Sequence, residues 1–194
     1  MLTNKTLTEY TNLLASNAPT PGGGSSLALV GLNATCLVMM AANVTITKLA
    51  KKGASCPQLE DLVTKLESTK QAFHLLIDLD AVAFSKILEA MKMPKNTEDE
   101  ICARKQALQD AYVYSAQVSL DIIQHAVDCY KLADQAIANA DKFVVSDAHI
   151  GKALAKTVAT LNVHNVDVNV DCITCEKQKT ELTNAKETLL ALLD

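Results

Sequence analysis

Residues 19–26 read Pro-Thr-Pro-Gly-Gly-Gly-Ser-Ser, and they hold three of the six glycines in the chain. Proline resists helix formation and glycine permits positive φ, so we predict a loop from Asn17 to Gly24. Ser25 or Ser26 is a suitable N-cap for a helix that begins there and runs to about Lys51. This helix is rich in small residues, which allow neighbouring helices to approach closely.

The loop and the helix lie within a stretch, from Tyr10 to Thr47, that contains no Asp, Glu, Lys, Arg or His. Such a stretch predicts close packing against a partner chain, a ligand or both. Residues 27–47 have about the length of a membrane span. However, the segment contains two asparagines and three threonines and has no aromatic belts. We therefore interpret it as a buried helix in a soluble oligomer and expect no membrane association.

The composition favours a single all-α domain over residues 1–194. Hydrophobic residues make up 49% of the chain and aromatic residues only 4%, so the core must consist mainly of aliphatic side chains. Alanine and leucine favour helices, and the four prolines and six glycines leave few interruptions. These features predict a bundle of five or six mostly long helices.

The helix boundaries follow from prolines, capping residues and apolar spacing. Thr97 and Glu100 form a capping box at the start of the fourth helix. Val166, Val168 and Val170 alternate as in a strand, but a lone strand would lack a partner, so we predict helix there. The predicted helices are one of about three turns around residues 7–14, three long ones at 25–51, 57–91 and 97–139, one capped by Ser146-Asp147, and one at 177–193.

Charge and cysteine content limit the classes of function and the compartment. The net charge of −4 provides no basic field, which disfavours nucleic-acid binding. An anionic ligand would need a local cationic patch. The six cysteines are irregularly spaced and the N-terminus is polar, so we expect reduced thiols and a cytoplasmic location.

The glycine-rich loop is the first candidate site. Free amides and a positive dipole end at a helix N-terminus suit an anion. No Gly-Lys-Ser/Thr follows, so the loop is not a P-loop, and no strand precedes it as in a dinucleotide fingerprint. A flexible loop with a helix cap is an equally good interpretation.

Two acids on the third helix are the second candidate. Asp78 and Asp80 are two residues apart and so point about 200° away from each other, which allows only one of them to face inward. Asp80 lies among apolar residues, where burial would raise its pKa and suit it to proton transfer. The alternative is a solvated or purely structural carboxylate.

The remaining polar features are less specific. Cys172 and Cys175 form a C-x-x-C without a second ligand pair, and the four histidines lack metal spacing, so we expect no metal site. Asn162, Asn165 and Asn169 share one face of the helix that Ser146-Asp147 begins. Their amides suit either interhelical hydrogen bonds or a heteroaromatic ring with donor and acceptor edges.

Several blocks, taken in order, resemble the formiminotetrahydrofolate cyclodeaminase / methenyltetrahydrofolate cyclohydrolase family. Thr47 stands where this resemblance leads us to expect a glycine, and His149 stands where a small residue is usual. We expect no fused formiminotransferase domain. The similar blocks are residues 19–25, 43–48, 80–84, 94–98, 146–147 and 165–169.

The resemblance implies an all-helical homodimer, or a higher homo-oligomer, with a folate site between helices near the dimer interface. It implies either conversion of 5-formiminotetrahydrofolate to 5,10-methenyltetrahydrofolate with release of ammonia, or hydrolysis of the methenyl compound to 10-formyltetrahydrofolate. Neither reaction requires a metal or a further cofactor. The alternative is a non-catalytic helical folate-binding or scaffold protein.

The resemblance also assigns roles to residues. Asp80 would move protons, and main-chain amides of the loop would hold a substrate group. Lys48 and Lys95 would pair with the glutamate tail of the folate. Asn165 and Asn169 would meet the pterin edge or, equally, a dimer interface. The complete set of implied substrate-binding residues is Pro21, Gly22, Gly23, Gly24, Ser25, Lys48, Lys95, Ser146, Asp147, Asn165 and Asn169.

Overall fold

The computed structural model describes residues 1–193. Within that range the chain is all-α, as predicted, and contains seven α-helices and no strand. Short 3-10 helices at Leu2–Asn4 and Ala191–Leu193 begin and end the described chain. The α-helices are α1 (Leu7–Leu14), α2 (Gly23–Ala50), α3 (Pro57–Lys92), α4 (Glu98–Asn139), α5 (Val145–Leu161), α6 (Val163–Asp171) and α7 (Glu176–Leu190).

Four helices form the central bundle. α2 packs against α3 and α5, and α4 packs against the same two helices from the other side. α6 and α7 lie against α4 and contact each other. The core is aliphatic, as the composition predicts; its largest fully buried side chains include Phe73, Leu59, Leu62, Leu66, Ile122 and Ile123.

Small residues bring the helices close together, as predicted for α2. A Cβ added at Gly31 would lie 2.9 Å from Cδ1 of Phe73 on α3. A Cβ added at Gly151 of α5 would lie 2.7 Å from the main-chain oxygen of Ala34 on α2. Both distances are too short for a real side chain, so α2 contacts its neighbours through backbone surface.

The predicted capping box of α4 is confirmed. The Thr97 hydroxyl accepts from the Glu100 amide at 3.2 Å, and the Glu100 carboxylate accepts from the Thr97 amide at the same distance. A second capping box joins Thr6 and Glu9 at the start of α1. α1 itself has eight residues, just over two turns, and is shorter than the predicted three turns.

Two predicted N-caps are wrong. α2 begins at Gly23 with Gly22 as its N-cap, because the Ser25 hydroxyl donates instead to the main-chain oxygen of Ile77. α5 begins at Val145 and has no side-chain cap, because a main-chain turn starting at the Asp141 carbonyl leads directly into it. Ser146 therefore lies inside the helix. Asp147 does lie in the first turn, where its charge favours the helix dipole.

The helix predicted to begin at Ser146-Asp147 is interrupted at Asn162, which ends α5 and begins α6. The prediction that Asn165 and Asn169 share a helix with Ser146 and Asp147 is therefore wrong. The valine-rich segment is helical, as predicted, since Val166, Val168 and Val170 lie within α6.

α2 is long and apolar enough to cross a membrane when judged by length and composition alone. In this fold it instead packs against α3, α4 and α5, and polar Ser25, Thr35 and Thr45 are among its buried residues. These contacts are those of a bundle helix.

Candidate functional site

A cavity of about 480 Å³ opens beside the glycine-rich loop. This volume is in the range typical of small-molecule sites. The loop, α3, α4 and α6 each form one wall. Its lining residues are Pro19, Thr20, Gly22, Gly23, Gly24, Asp80, Phe84, Ile87, Met91, Tyr112, Ser115, Ser119, Asn165, Val168, Asn169 and Cys172.

Asp80 projects from the middle of α3 into this cavity and is half-buried. Its Oδ2 accepts from the Ser25 amide at 2.8 Å. A Cβ at Gly24 would lie 2.7 Å from Cγ of Asp80 and even closer to Oδ1, so only glycine fits beneath the carboxyl. Burial raises the pKa of Asp80, and the hydrogen bond from the Ser25 amide opposes this shift. The anion at the N-terminus of α2 is therefore a side chain of the protein itself.

This geometry corrects the expectation for Ser25. Its amide was predicted to hold a substrate group, but it is occupied by Asp80. The Ser25 side chain is fully buried and donates to the main-chain oxygen of Ile77 at 2.8 Å. Ser25 thus fixes the loop to α3 at two points, and it supports the carboxylate from behind.

Asp78 has the other role that the sequence allowed. It points away from the cavity and accepts from the Leu2 amide and, at 2.7 Å, from the Thr3 hydroxyl. It therefore anchors the N-terminal 3-10 helix to α3. The expected divergence of the two acids is confirmed, and Asp80 is the one that reaches the cavity.

Tyr10 supports the loop and was missed by the sequence reasoning. Its ring is buried, and its hydroxyl lies 3.5 Å from Oγ of Ser25 and 3.4 Å from Oγ of Ser26. In the sequence it was only one apolar position of α1. Nothing in a helical spacing indicates which distant hydroxyls a buried tyrosine will contact.

The α6 wall carries a chain of amides. Asn162 is fully buried and donates to the main-chain oxygen of Ser119 at 2.7 Å. Asn165 donates to Oδ1 of Asn162 at 2.8 Å, and Asn169 donates to the main-chain oxygen of Asn165 at 2.7 Å. Asn165 and Asn169 line the cavity, as predicted for a ligand, whereas Asn162 lies behind them.

The α4 wall was not predicted. Tyr112, Ser115 and Ser119 face the cavity at three- and four-residue spacing, and this spacing was the signal available in the sequence. The nearby Cys172 also faces the cavity. Burial, with a smaller contribution from Cys172, raises the pKa of the Tyr112 hydroxyl.

Four predicted residues lie elsewhere. Lys48 is 25 residues from Gly23 on the same helix, so about 37 Å separates them. It pairs with Asp141, and Ser146 and Asp147 begin α5 just beyond that pair. Lys95 is exposed in the connection between α3 and α4 and does not line the cavity.

Pro21 is a fifth predicted residue that does not line the cavity; it is buried behind the loop. Gly22, Gly23 and Gly24 do line it, together with Asp80, Asn165 and Asn169. The structure therefore brings together the loop, the acid and two amides in one place. It gathers Lys48, Ser146 and Asp147 at the opposite end of α2.

The charge of the cavity is distinctive. No Lys, Arg or His is among its lining residues, and Asp80 is its one ionisable carboxyl. Within residues 1–193, no group of three or more His, Cys, Asp or Glu side chains is placed to hold a metal ion. The arrangement suits a neutral or cationic ligand atom near Asp80, next to a surface of apolar side chains and amides.

Comparison with known proteins gives consistent results. The sequence model of the formiminotransferase-cyclodeaminase family matches residues 6–188. A methenyltetrahydrofolate cyclohydrolase from Methylorubrum extorquens is 32% identical over 172 residues, which cover 88% of this chain and 81% of that protein. A formimidoyltransferase-cyclodeaminase from Gallus gallus is 24% identical over 189 residues, but this chain spans only 35% of its length.

A solved structure has the same fold. The crystal structure of formiminotetrahydrofolate cyclodeaminase from Thermotoga maritima superposes with a TM-score of 0.84 at 25% sequence identity. The match covers all of this chain and 92% of that one. The similarity therefore extends over the whole bundle, including the loop, α3 and α6 that form the cavity.

Proposed function

This chain belongs to the formiminotransferase-cyclodeaminase family, as the sequence resemblance predicted, and we propose that it is an enzyme acting on one-carbon units carried by tetrahydrofolate. The first candidate reaction is hydrolysis of 5,10-methenyltetrahydrofolate to 10-formyltetrahydrofolate, which the relative from Methylorubrum extorquens favours. The second is cyclodeamination of 5-formiminotetrahydrofolate, which the structural match to the Thermotoga maritima protein favours.

The position of Asp80 carries this proposal. Both candidate substrates have a positively charged amidinium group at the carbon that reacts, and Asp80 is the one charged group in a cavity without cations. In a partly desolvated site the attraction between these charges is stronger than in water. The same carboxyl, with its raised pKa, is suited to accepting and returning a proton.

In hydrolysis, the Asp80 carboxylate removes a proton from water while the water oxygen bonds to the methenyl carbon. That carbon then carries a hydroxyl, a hydrogen, N5 and N10. The bond to N5 breaks as the hydroxyl releases its proton to solvent and Asp80 returns its proton to N5. The products are 10-formyltetrahydrofolate and one proton.

In cyclodeamination, N10 bonds to the formimino carbon and the former imino nitrogen becomes an amine. Asp80 takes the proton from N10 and gives it to this amine, which leaves as ammonia. The methenyl cation remains. In both reactions Asp80 moves one proton between atoms bonded to the same carbon. Neither reaction needs a metal or a further cofactor.

The rest of the folate is assigned from the lining of the cavity. We place the bicyclic ring against Phe84, Ile87 and the amides of α6, which line the cavity together with the loop. Met91 lines this cavity, and the chain continues from there to the exposed Lys95 four residues later. Lys95 is accordingly our candidate for pairing with the glutamate tail outside the cavity.

A homodimer is part of the proposal. The exposed side of α2 is uncharged from Leu29 to Thr47 and includes Met40, which is 40% exposed, and Val44, which is 42% exposed. If two α2 helices pair antiparallel about their midpoint, Lys48 of one chain lies near the loop of the other. This pairing explains why residues at opposite ends of α2 resemble one family's site. The free cysteines fit a cytoplasmic location.

The test is to mix the protein separately with methenyltetrahydrofolate and formiminotetrahydrofolate and to follow the absorbance of the methenyl group. We expect loss of absorbance in the first mixture if the enzyme is a cyclohydrolase, or gain in the second if it is a cyclodeaminase. Thermal stabilisation by folates without any change in absorbance would identify a non-catalytic binder and contradict the proposal.

A further inference from the structure

The amides of α6 have only one possible orientation. A main-chain carbonyl can only accept a hydrogen bond, so the Asn162 group that faces the Ser119 oxygen at 2.7 Å must be its NH₂. The Asn162 oxygen therefore faces Asn165. Because an oxygen also only accepts, Asn165 must present its own NH₂ to Asn162, at 2.8 Å.

The next amide follows the same rule. The NH₂ of Asn169 donates to the main-chain oxygen of Asn165 at 2.7 Å, again to a group that only accepts. Both cavity-lining asparagines therefore use their donors within the protein. Neither Oδ1 atom accepts a hydrogen bond within the described residues and neither is a buried atom without a partner, so each of these two cavity-lining residues keeps an acceptor available for a ligand.

From these donor and acceptor assignments we infer that the α6 wall recognises the hydrogen-bond donor edge of the ligand ring. Asn165 and Asn169 act as acceptors, and the buried Asn162 is the positioning residue that fixes their orientation. This inference rests on the proposed function. A reduced pterin carries such an edge in its 2-amino group and the adjacent ring N–H. A ring with an oxygen in place of the 2-amino group would set two oxygens against each other.

The burial of Asn162 makes the wall discriminate against a ring that presents an acceptor. The Asn162 side chain is fully buried, and rotating it would leave the Ser119 oxygen facing another oxygen. Asn165 in turn cannot rotate without doing the same to Asn162. An unmatched buried polar pair is costly, so the wall cannot adapt to an acceptor.

The experiment measures the binding of tetrahydrofolate and of its 2-oxo analogue by calorimetry; neither carries a one-carbon unit, so neither reacts. For the wild-type protein we expect the 2-oxo analogue to bind on the order of 100-fold more weakly. Asn165→Leu removes an acceptor and should bring the two affinities to within about threefold. Asn139→Leu, at the exposed end of α4, is the matched control and should keep the wild-type ratio.

Asn162→Ala tests the positioning role. It frees the Asn165 amide to turn its NH₂ toward the ligand, so the 2-oxo analogue should bind more tightly than to wild type while tetrahydrofolate binds more weakly. General loosening of the structure would weaken both ligands alike. If this variant does not fold, Asn165→Leu still decides.

The outcomes are distinguishable. A wild-type protein that binds both ligands equally, or an Asn165→Leu variant with the wild-type ratio, overturns the inference and leaves the proposed function intact. A wild-type protein that binds neither ligand overturns the proposed function and this inference with it.

Discussion

At the scale of single residues, Asp80 combines a functional advantage with a cost in stability. Burial raises its pKa above the value in the unfolded chain. Its contribution to the free energy of unfolding is therefore fully present at acid pH and is lost as the pH rises through the raised pKa. At neutral pH the folded protein holds a carboxylate that would be better solvated in the unfolded chain.

Asp80→Asn should lower turnover by a factor of about 10²–10⁴, the usual contribution of general acid–base catalysis, and weaken binding of the cationic substrates, while the affinity for uncharged tetrahydrofolate should change little. The variant should also melt at a higher temperature than wild type at pH 7. This difference should shrink as the pH falls and disappear below the ordinary aspartate pKa of about 3.9, where the Asp80 carboxyl is protonated in both the folded and the unfolded chain. Steady-state kinetics and thermal melts at several pH values measure both effects. Wild-type turnover by the variant would rule out the proton-transfer role.

Gly24 should tolerate a methyl group only when Asp80 is shortened. Gly24→Ala places Cβ 2.7 Å from Cγ of Asp80, so we expect a loss of about 1–3 kcal/mol in the free energy of unfolding. In an Asp80→Ala background the obstructing atoms are gone, and the same substitution should cost close to nothing. Urea melts of the wild type, the two single variants and the double variant give the coupling free energy between Gly24 and Asp80. Additive effects of the two substitutions would contradict the contact.

Some of these residues could be chosen from the sequence and others could not. An aspartate in an apolar helical context next to a family motif is a local signal, and it identified Asp80. Asn162 acts through a carbonyl of α4, and Tyr10 acts through hydroxyls of the loop. Those roles depend on which helices contact each other, and helical spacing does not show which helices do so.

At the scale of elements, α2 shows what small residues contribute. Glycine normally weakens a helix by about 1 kcal/mol relative to alanine. In the contact between α2 and α5 this cost is offset by backbone packing, since Gly151 lies directly over Ala34 and Val38.

Gly151→Ala should therefore destabilise the protein by about 1–3 kcal/mol, because its Cβ would overlap the main-chain oxygen of Ala34. Helix propensity alone predicts the opposite sign. Ala153→Gly, at an exposed position of the same helix, is the matched control and should cost about 1 kcal/mol from propensity. Denaturant melts compare the two. A stabilising Gly151→Ala would show that the helices are less tightly packed than described.

Helix boundaries were predictable where a residue acts locally. Pro57 and the Thr97 capping box mark the starts of α3 and α4 within a residue. The start of α2 was misplaced and the break at Asn162 was not predicted, because tertiary hydrogen bonds compete at both points with local capping. Ser25 and Asn162 both direct their side chains to carbonyls of other helices.

At the scale of the whole molecule, the proposed dimer has a specific geometric consequence. Pairing two α2 helices about their midpoint, between Gly23 and Ala50, brings the exposed Cys36 of each chain close to its symmetry mate. Mild oxidation should therefore produce a disulfide-linked dimer in wild type. Cys36→Ser should lose the cross-link, whereas Cys172→Ser should retain it. A monomer by light scattering, or a cross-link that survives in Cys36→Ser, would refute the antiparallel pairing.

The all-α class followed from composition, because few prolines, few glycines and many alanines leave long helices as the available structure. Which ends of those helices meet did not follow. Lys48, Ser146 and Asp147 were grouped with the loop by resemblance, yet within one chain they lie at the far end of α2. Positions at opposite ends of α2 can share a site only if two chains assemble, and one chain's sequence does not show how they would.

The cavity draws its walls from Pro19 near the beginning of the chain and from Cys172 near its end. During synthesis, the loop and Asp80 leave the ribosome long before the amides of α6 are made. No partial chain that lacks α6 can hold the ligand between two walls. A folate bound there would therefore protect only the finished bundle from proteases, and loss of the ligand would change the protease sensitivity of complete chains alone.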